Sequence, residues 1–246
     1  MDLGIAGRRA AVAAASEGLG FGAAAALVEA GVSVAICGRN AAKVTAAAAR
    51  IGAVAIVLDV GSFAGGVSFV EQAQAALGGP IDILVPNAGG PPMGGLEVVT
   101  AEAVAAALDL NLQSTIGMCS SVVPAMQSQR WGRIVAITSI TARQPLAAIA
   151  LSNITRPAVT GYLKTLALAM AAHGITVNSL QPGLHATSRM GGADVSTLPP
   201  PTGVPVGEWG RAVDFGNVAA FLCSEHARFI TGVGLPIDGG AMAALQ

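Results

Sequence analysis

Short apolar runs and longer amphipathic stretches alternate along this chain from its N-terminus onward. The apolar runs have the length of buried strands, and the stretches between them repeat apolar positions at helical spacing. Strands are predicted over residues 9–15, 32–37, 53–58, 81–85, 133–138, 176–180 and 232–237. Helices are predicted over residues 18–30, 40–50, 62–77, 100–129, 152–172 and 212–224. This alternation is typical of a parallel sheet with crossover helices.

The pattern therefore predicts an α/β fold, a doubly wound sheet of about seven parallel strands with helices on both faces. A length of 246 residues is enough for one domain of this kind. We find neither an internal repeat nor a composition typical of a linker, so residues 1–246 are expected to form a single domain.

Composition and charge narrow the class of protein. Charged residues make up 11% of the chain and hydrophobic residues 53%, but no stretch reaches the roughly 18 consecutive apolar residues of a spanning helix. The N-terminus lacks the basic and apolar regions of an export signal, so we expect a cytoplasmic protein without a membrane segment. A net charge of −1 without a basic run argues against nucleic-acid binding.

The cysteines and the low charge carry two further expectations. Cys37, Cys119 and Cys223 are widely spaced in apolar contexts, which indicates buried thiols in a reducing compartment and neither a disulfide framework nor a metal site. So few charges leave little polar surface for a monomer, which favours large subunit interfaces. The alternative is an alanine-rich composition that reflects genome bias.

The first candidate binding feature is the turn of residues 14–20, between the first predicted strand and helix. Such a turn brings backbone N–H groups and a helix N-terminus to one point, which suits a pyrophosphate. Gly18 and Gly20 permit tight turning and a close ligand. A tight turn that binds nothing is the alternative.

Motifs further along the chain match a known family. Asp59-Val60 and Asn87-Ala88-Gly89 follow predicted strands, at the strand ends where open sheets bind ligands. With Asn111, Ser139, Pro182-Gly183, Thr187 and the C-terminal 237–240 motif, the chain resembles the short-chain dehydrogenase/reductase family over nearly its whole length. The resemblance implies a Rossmann-type fold and an NAD(P) cofactor.

The resemblance also implies which residues hold that cofactor. The candidates are Ala14, Ser16, Gly18, Leu19, Gly20, Arg39, Asp59, Val60, Asn87, Ala88, Gly89, Pro182, Gly183, Leu184 and Thr187. Ala14 replaces the glycine that opens the turn, at a cost of about 1 kcal/mol if a positive φ is required there. Arg39 favours NADP, whereas Glu17 would repel its 2′-phosphate. NAD, NADP and no nucleotide all stay open.

The catalytic end departs further from the family. There, a serine positions the substrate carbonyl, a tyrosine thirteen residues later transfers the proton, and a lysine four residues further lowers the tyrosine pKa. Ser139 matches the serine, but the next two positions are Ser152 and Arg156, while Asn111 is retained. A serine hydroxyl has a pKa several units above the value of about 10 of a phenol. Arg156 cannot relay a proton, although its fork could still hold a ribose or a carboxylate.

Two other residues are candidates to replace the missing tyrosine. Tyr162 lies ten residues after Ser152 and should point away from the site and pack in the core or an interface. His185 follows Pro182-Gly183, near the expected nicotinamide, but is expected to face solvent. The lid that closes over substrate in this family corresponds to residues 184–211.

Three functions follow from these features. The first is a catalytically degenerate subunit that forms a homo- or hetero-tetramer with an active paralogue and serves a hydroxyacyl-CoA substrate. It would resemble the defective subunit of the hydroxyacyl-CoA dehydrogenases of the benzylsuccinate (anaerobic toluene) type. The second is an active NAD(P)-dependent 3-oxoacyl or carbonyl reductase with an altered relay through Ser139, His185 or water. The third is a cofactor-independent binding protein or enzyme that reuses the pocket.

Overall fold

The computed structural model describes residues 1–192, 194 and 198–244. Its strands are β1 (Arg9–Val12), β2 (Ser33–Gly38), β3 (Val54–Val57), β4 (Ile83–Val85), β5 (Gly132–Ile137), β6 (Ile175–Pro182) and β7 (Gly234–Ile237). They form one sheet in the order β3-β2-β1-β4-β5-β6-β7, and all six pairings are parallel. The strand order reverses between β1 and β4, which is where open α/β sheets form a crevice.

Helices connect the strands on both sides of the sheet. They are α1 (Gly18–Glu29), α2 (Ala41–Ile51), α3 (Phe63–Leu77), α4 (Ala101–Leu108), α5 (Ser114–Gln129), α6 (Ala150–Met170) and α7 (Ala212–Cys223). Capping side chains and glycines determine where several of these helices begin or end. The side chain of Asn40 accepts from the Lys43 N–H at the start of α2, and Gly52 ends that helix in the left-handed conformation.

Two hydrophobic cores lie on opposite faces of the sheet. One contains Leu27 of α1 and Phe215 of α7, and the other contains Phe69 of α3, Met118 of α5 and Leu163 of α6. The central strands are buried on both faces, so they read as continuous apolar runs without strict alternation, whereas the edge strands β3 and β7 are partly exposed. The predicted α/β fold with seven parallel strands and helices on both faces is confirmed.

Some predicted boundaries were wrong. The single helix over residues 100–129 is divided by a π-helical segment, Asp109–Gln113, between α4 and α5. There the hydroxyls of Ser114 and Thr115 bond to the carbonyl oxygens four residues before them, which adds side-chain bonds where the helix changes pitch. The first strand ends at Val12 and not at residue 15, because the chain turns sharply at Ala14.

The cysteine prediction agrees with the structure: Cys37, Cys119 and Cys223 are buried free thiols. Burial raises the pKa of each thiol to about 12, with hydrogen-bond and charge effects secondary. No helix within the described residues is long and apolar enough to cross a membrane.

Helices α1 and α7 approach each other closely through glycines. A Cβ atom on Gly22 would overlap the carbonyl oxygen of Ala212, and one on Gly216 would overlap the carbonyl oxygen of Gly22. This contact holds α1 against the sheet and so fixes the position of its N-terminus, which lies at the crevice.

We predict that Gly22→Ala lowers the free energy of unfolding by about 2 kcal/mol, because the backbones of α1 and α7 must separate. The matched control is Gly161→Ala in α6, where an added Cβ meets no atom within 4 Å. This control should raise stability by roughly 0.5–1 kcal/mol through helix propensity. Urea denaturation measures both. Equal effects of the two substitutions would contradict the close-packing argument.

Candidate functional site

A cleft of about 1140 Å³ opens along the carboxyl ends of the strands. Of the residues predicted for the site, all but Asn111 line it. They are Ala14, Ser16, Gly18, Leu19, Gly20, Arg39, Asp59, Val60, Asn87, Ala88, Gly89, Ser139, Ser152, Arg156, Pro182, Gly183, Leu184 and Thr187. The topology brings them together because parallel strands all end at one edge of the sheet.

The turn after β1 keeps the shape that a glycine would give it. Ala14 has a φ of 46°, and the only other described non-glycine residue with a positive φ is Arg130. The amide of Asn87 donates to the carbonyl oxygens of Ala13 and Ala14 at 3.2 Å each, and the Ala15 N–H donates to the Cys37 carbonyl at 3.0 Å. These bonds hold the strained conformation at Ala14.

The start of α1 fits the phosphates of a dinucleotide. No side chain caps this helix at Glu17, so the capping position leaves room for an anion. A Cβ on Gly20 would lie 2.9 Å from the Ala14 carbonyl oxygen and 2.8 Å from the Asn87 amide nitrogen, so only glycine fits against the turn. A Cβ on Gly89 would meet nothing within 4 Å, so the cleft is open at that point.

In the half of the cleft next to α1, the charged side chains form two ion pairs. Glu17 lies 3.2 Å from Lys43, and Arg39 lies 3.9 Å from Asp59. A hydrogen bond from Ser188, followed by the contact with Lys43, lowers the pKa of the Glu17 carboxyl. The repulsion expected from Glu17 is therefore offset by Lys43. Two cations and two carboxylates balance, and net charge at this corner does not distinguish NAD from NADP.

At the other end of the cleft, two serine hydroxyls with local hydrogen bonds stand at catalytic positions of the family. Ser139 Oγ accepts from the Thr141 N–H at 3.1 Å, and the hydroxyls of Thr141 and Ser152 lie 2.9 Å apart. Ser152 is 7% exposed and lies in the wall of the cleft. Thr141 was not foreseen from the sequence, because it follows a strand within an irregular segment that has no motif.

Asn111 lies behind this wall, in the π-helical segment. Its Nδ2 donates to the Gly89 carbonyl at 3.3 Å, and its Oδ1 accepts from the Thr155 hydroxyl at 3.1 Å. Asn111 is 1% exposed, so it ties the loop after β4 to α6 and does not itself line the cleft. Its side chain holds the wall in position.

Arg156 is buried in the wall one helical turn after Ser152. It is 8% exposed, and its Nη1 donates to the Ile137 carbonyl at 3.3 Å. Its Nε has no hydrogen-bond partner in the part of the chain that the structure describes. Burial, followed by the positive charge of Arg189, lowers the pKa of Arg156 to about 10. The guanidinium still carries its charge at neutral pH.

Arg189 is a cleft residue that the sequence analysis missed. It lies in the short helical turn Ser188–Met190, and its Nη2 donates to the Pro91 carbonyl at 2.9 Å. Its guanidinium occupies the space beside the Gly90 Cα, so it crosses from the lid to the loop after β4. The one available signal was its position two residues after Thr187.

The two candidate replacement residues behave differently. Tyr162 packs against the core beside Cys119, away from the cleft, and burial raises the pKa of its phenol. The expectation that His185 faces solvent was wrong: it is 4% exposed, and its ring meets Phe215 edge-on with centroids 5.4 Å apart. The returning lid covers it: the Gly210 N–H donates to the Leu184 carbonyl, and the Gly210 carbonyl accepts from the Ala186 N–H. Burial lowers the pKa of His185.

Of the predicted lid over residues 184–211, residues 193 and 195–197 lie outside the described part of the chain. No group of three or more potential metal ligands occurs among the residues that the structure describes.

Comparison with known proteins agrees with this geometry. A family model described as enoyl-(acyl carrier protein) reductase matches residues 13–242. Dehydrogenase/reductase SDR family member 4 of Homo sapiens is 33% identical over 254 residues, covering 98% of this chain and 90% of the relative. This chain belongs to the short-chain dehydrogenase/reductase family. Members of this family are NAD(P)-dependent oxidoreductases.

Solved structures of the short-chain dehydrogenase/reductase family superpose over nearly all of the chain. L-sorbose reductase from Gluconobacter frateurii, complexed with NADPH and L-sorbose, is 26% identical with a TM-score of 0.90, and each chain is fully covered. A short chain oxidoreductase from Pseudomonas aeruginosa PAO1, described as containing an atypical catalytic center, is 26% identical with a TM-score of 0.87. That match covers 98% of this chain and 100% of the other.

We predict that Ala14→Gly raises the free energy of unfolding by about 1 kcal/mol, because glycine adopts a φ of 46° without strain. Ala15→Gly is the neighbouring control. Its φ is not positive, so this substitution should lower stability by about 1 kcal/mol. Urea denaturation compares the two, and a loss of stability in both variants would show that the turn at Ala14 is unstrained.

Proposed function

We propose that this chain is a relay-deficient subunit of the short-chain dehydrogenase/reductase family. It holds NAD(P) in its cleft and assembles with an active paralogue into a hetero-tetrameric dehydrogenase for a hydroxyacyl substrate of the acyl-CoA type. The nearest analogy is the defective subunit of the benzylsuccinate-type hydroxyacyl-CoA dehydrogenases. The single observation that carries the proposal is the pairing of Ser152 with Thr141 where the family places its proton-transferring phenol.

The chemistry of this end explains the deficiency. The Ser152 hydroxyl is hydrogen-bonded to Thr141, and both groups have pKa values far above neutrality, so neither gives up or takes a proton readily at pH 7. Arg156 stabilises negative charge but keeps its own proton. The remaining groups can position a carbonyl without completing the transfer of a proton to it.

The nucleotide half of the cleft supports retention of the cofactor. The turn after β1, the N-terminus of α1 and the open space at Gly89 fit the phosphates and sugars of a dinucleotide. When bound, NAD(P)H supplies a hydride. The residues of this chain that would hold the nucleotide are those around Gly18, Asp59, Asn87 and Thr187.

The surface supports assembly with other subunits. Among the described residues, Leu168 on α6, Phe229 after α7 and Leu235 on β7 expose 73%, 98% and 36% of their surface. Large exposed apolar side chains on a chain with only 11% charged residues favour subunit contacts.

A second candidate is an active reductase with an altered relay. The hydroxyls of Ser139 and Ser152 line the cleft, the latter paired with the Thr141 hydroxyl, and His185 also lines it. The P. aeruginosa relative described as containing an atypical catalytic center shows that other members with this fold depart from the usual constellation. Measured turnover decides between the two candidates.

We expect the purified chain to bind NADH or NADPH, seen as a change in nicotinamide fluorescence, yet to reduce acetoacetyl-CoA very slowly. The Ser152→Tyr/Arg156→Lys double variant should gain a factor of roughly 10²–10⁴ in kcat, because it recreates the proton-transferring pair. The Ser152→Phe/Arg156→Lys variant supplies the same bulk without the hydroxyl and should gain nothing. Rapid turnover by the unmodified chain, lost in Ser139→Ala or His185→Ala, would establish the altered relay instead.

We also expect this chain to co-purify as a mixed oligomer when it is co-expressed with any relative of its family that a neighbouring reading frame encodes and that retains Tyr-x-x-x-Lys. Light scattering and native mass spectrometry measure the composition. The Phe229→Ser variant should weaken the assembly if that exposed ring lies in a subunit contact. Exclusive formation of homo-oligomers under co-expression would contradict the hetero-oligomeric role.

A further inference from the structure

The charges in the cleft are divided between its two ends. Its carboxylates, Glu17 and Asp59, are both at the nucleotide corner and face Lys43 and Arg39 there. The other two cations of the described lining, Arg156 and Arg189, have no carboxylate within 4 Å. The two arginines at the reaction end of the cleft therefore have no ion-pair partner among the described residues.

The burial of Arg156 makes the lack of a counterion costly at this position. Arg156 is only 8% exposed, and among the described residues it bonds only to the Ile137 carbonyl and its Nε has no partner. A buried guanidinium normally has a carboxylate that balances its charge, as Arg133 has in Glu225. Arg156 lines a large open cleft, so the missing counterion can come from a ligand.

Arg189 brings a second guanidinium toward the same space. Its bond to the Pro91 carbonyl holds it across the cleft, and it is close enough to Arg156 for its charge to lower the Arg156 pKa. Two like charges held near each other disfavour the empty site and favour an anion between them. Ser152, one turn before Arg156 on the same face of α6, adds a hydroxyl.

The geometry points to a carboxylate-binding subsite formed by Arg156 and Arg189, which takes an organic acid with an apolar body as the ligand of the reaction end. The inference rests on the proposed function only in placing substrate at this end of the cleft.

The lining of this end favours an organic acid. The segments after β4 and before α6 are joined by the Gly94 N–H bond to the Ala148 carbonyl, and they contribute Pro91, Met93 and Leu146 to the wall. A planar guanidinium forms two parallel hydrogen bonds to a carboxylate, while the apolar wall accommodates the body of the acid.

The test uses 3-phenylpropanoate and its uncharged amide, 3-phenylpropanamide, as probes in calorimetric titrations of the full chain with and without saturating NADPH. The acid should bind measurably and the amide at least tenfold more weakly, because the amide lacks the charge. Arg189→Ala should weaken acid binding about tenfold to a hundredfold. Arg189 is exposed, so this variant keeps the fold.

Arg156→Met should abolish acid binding, and Arg156→Lys should restore only part of it, because lysine keeps the charge but loses the fork. Thermal unfolding of each variant confirms that it is folded. Arg211→Ala is the matched control, an exposed arginine at the start of α7 that does not line this cleft, and it should bind the acid like the unmodified chain.

The results distinguish an organic acid from the nucleotide phosphates as the bound anion. They also test the subsite separately from the proposed retention of NAD(P). Equal binding of acid and amide, or acid binding that survives both Arg156→Met and Arg189→Ala, would overturn the subsite. Competition between NADPH and the acid, with pyrophosphate binding that needs the same two arginines, would assign them to the nucleotide phosphates instead. Failure of NADPH to bind, with acid binding intact, would refute cofactor retention alone.

Discussion

The Asn87 amide joins the ends of β1 and β4 through its bonds to the carbonyl oxygens of Ala13 and Ala14, and the shape of the cleft depends on this contact. The strand order reverses between these two strands, so their helices leave in opposite directions and a gap opens between them. The bonds hold Ala14 in a left-handed conformation. The turn then lies so close to α1 that a side chain larger than that of Gly20 does not fit beside it. The N-terminus of α1 is thereby placed at the gap, with its position secured from behind by the glycine contact with α7.

The fold could be predicted from the sequence because the information that determines it is local and repeated. The central strands are apolar runs buried on both faces, and several helices have a capping side chain or a terminal glycine that marks an end, as Asn40 and Gly52 do for α2. The errors occurred where side chains modify the backbone. The hydroxyls of Ser114 and Thr115 accompany the π-helical segment that divides α4 from α5, and no periodicity of apolar residues predicts that change of pitch.

The cleft residues could be placed by motif, since motifs at strand ends all lie along one edge of a parallel sheet. What could not be predicted is how side chains from distant segments combine. The balance of Glu17 by Lys43 depends on the approach of α2 to the first turn, and the burial of His185 depends on the return of the lid at Gly210. Arg189 gives no motif signal, because its importance arises from Gly90 and Pro91, about a hundred residues earlier.

The replacement at Arg156 is more than the loss of a lysine. A chain that had only lost its chemistry would gain stability from an apolar side chain at this buried position, since a guanidinium without a counterion carries the cost of desolvation with no compensating ion pair. Arg133, buried to a similar degree, shows how the same fold pairs such a charge with Glu225. The buried charge of Arg156 is therefore explained if a bound group supplies its counterion. Its position in the cleft wall, with Arg189 lining the same cleft, favours a bound anion as that missing partner.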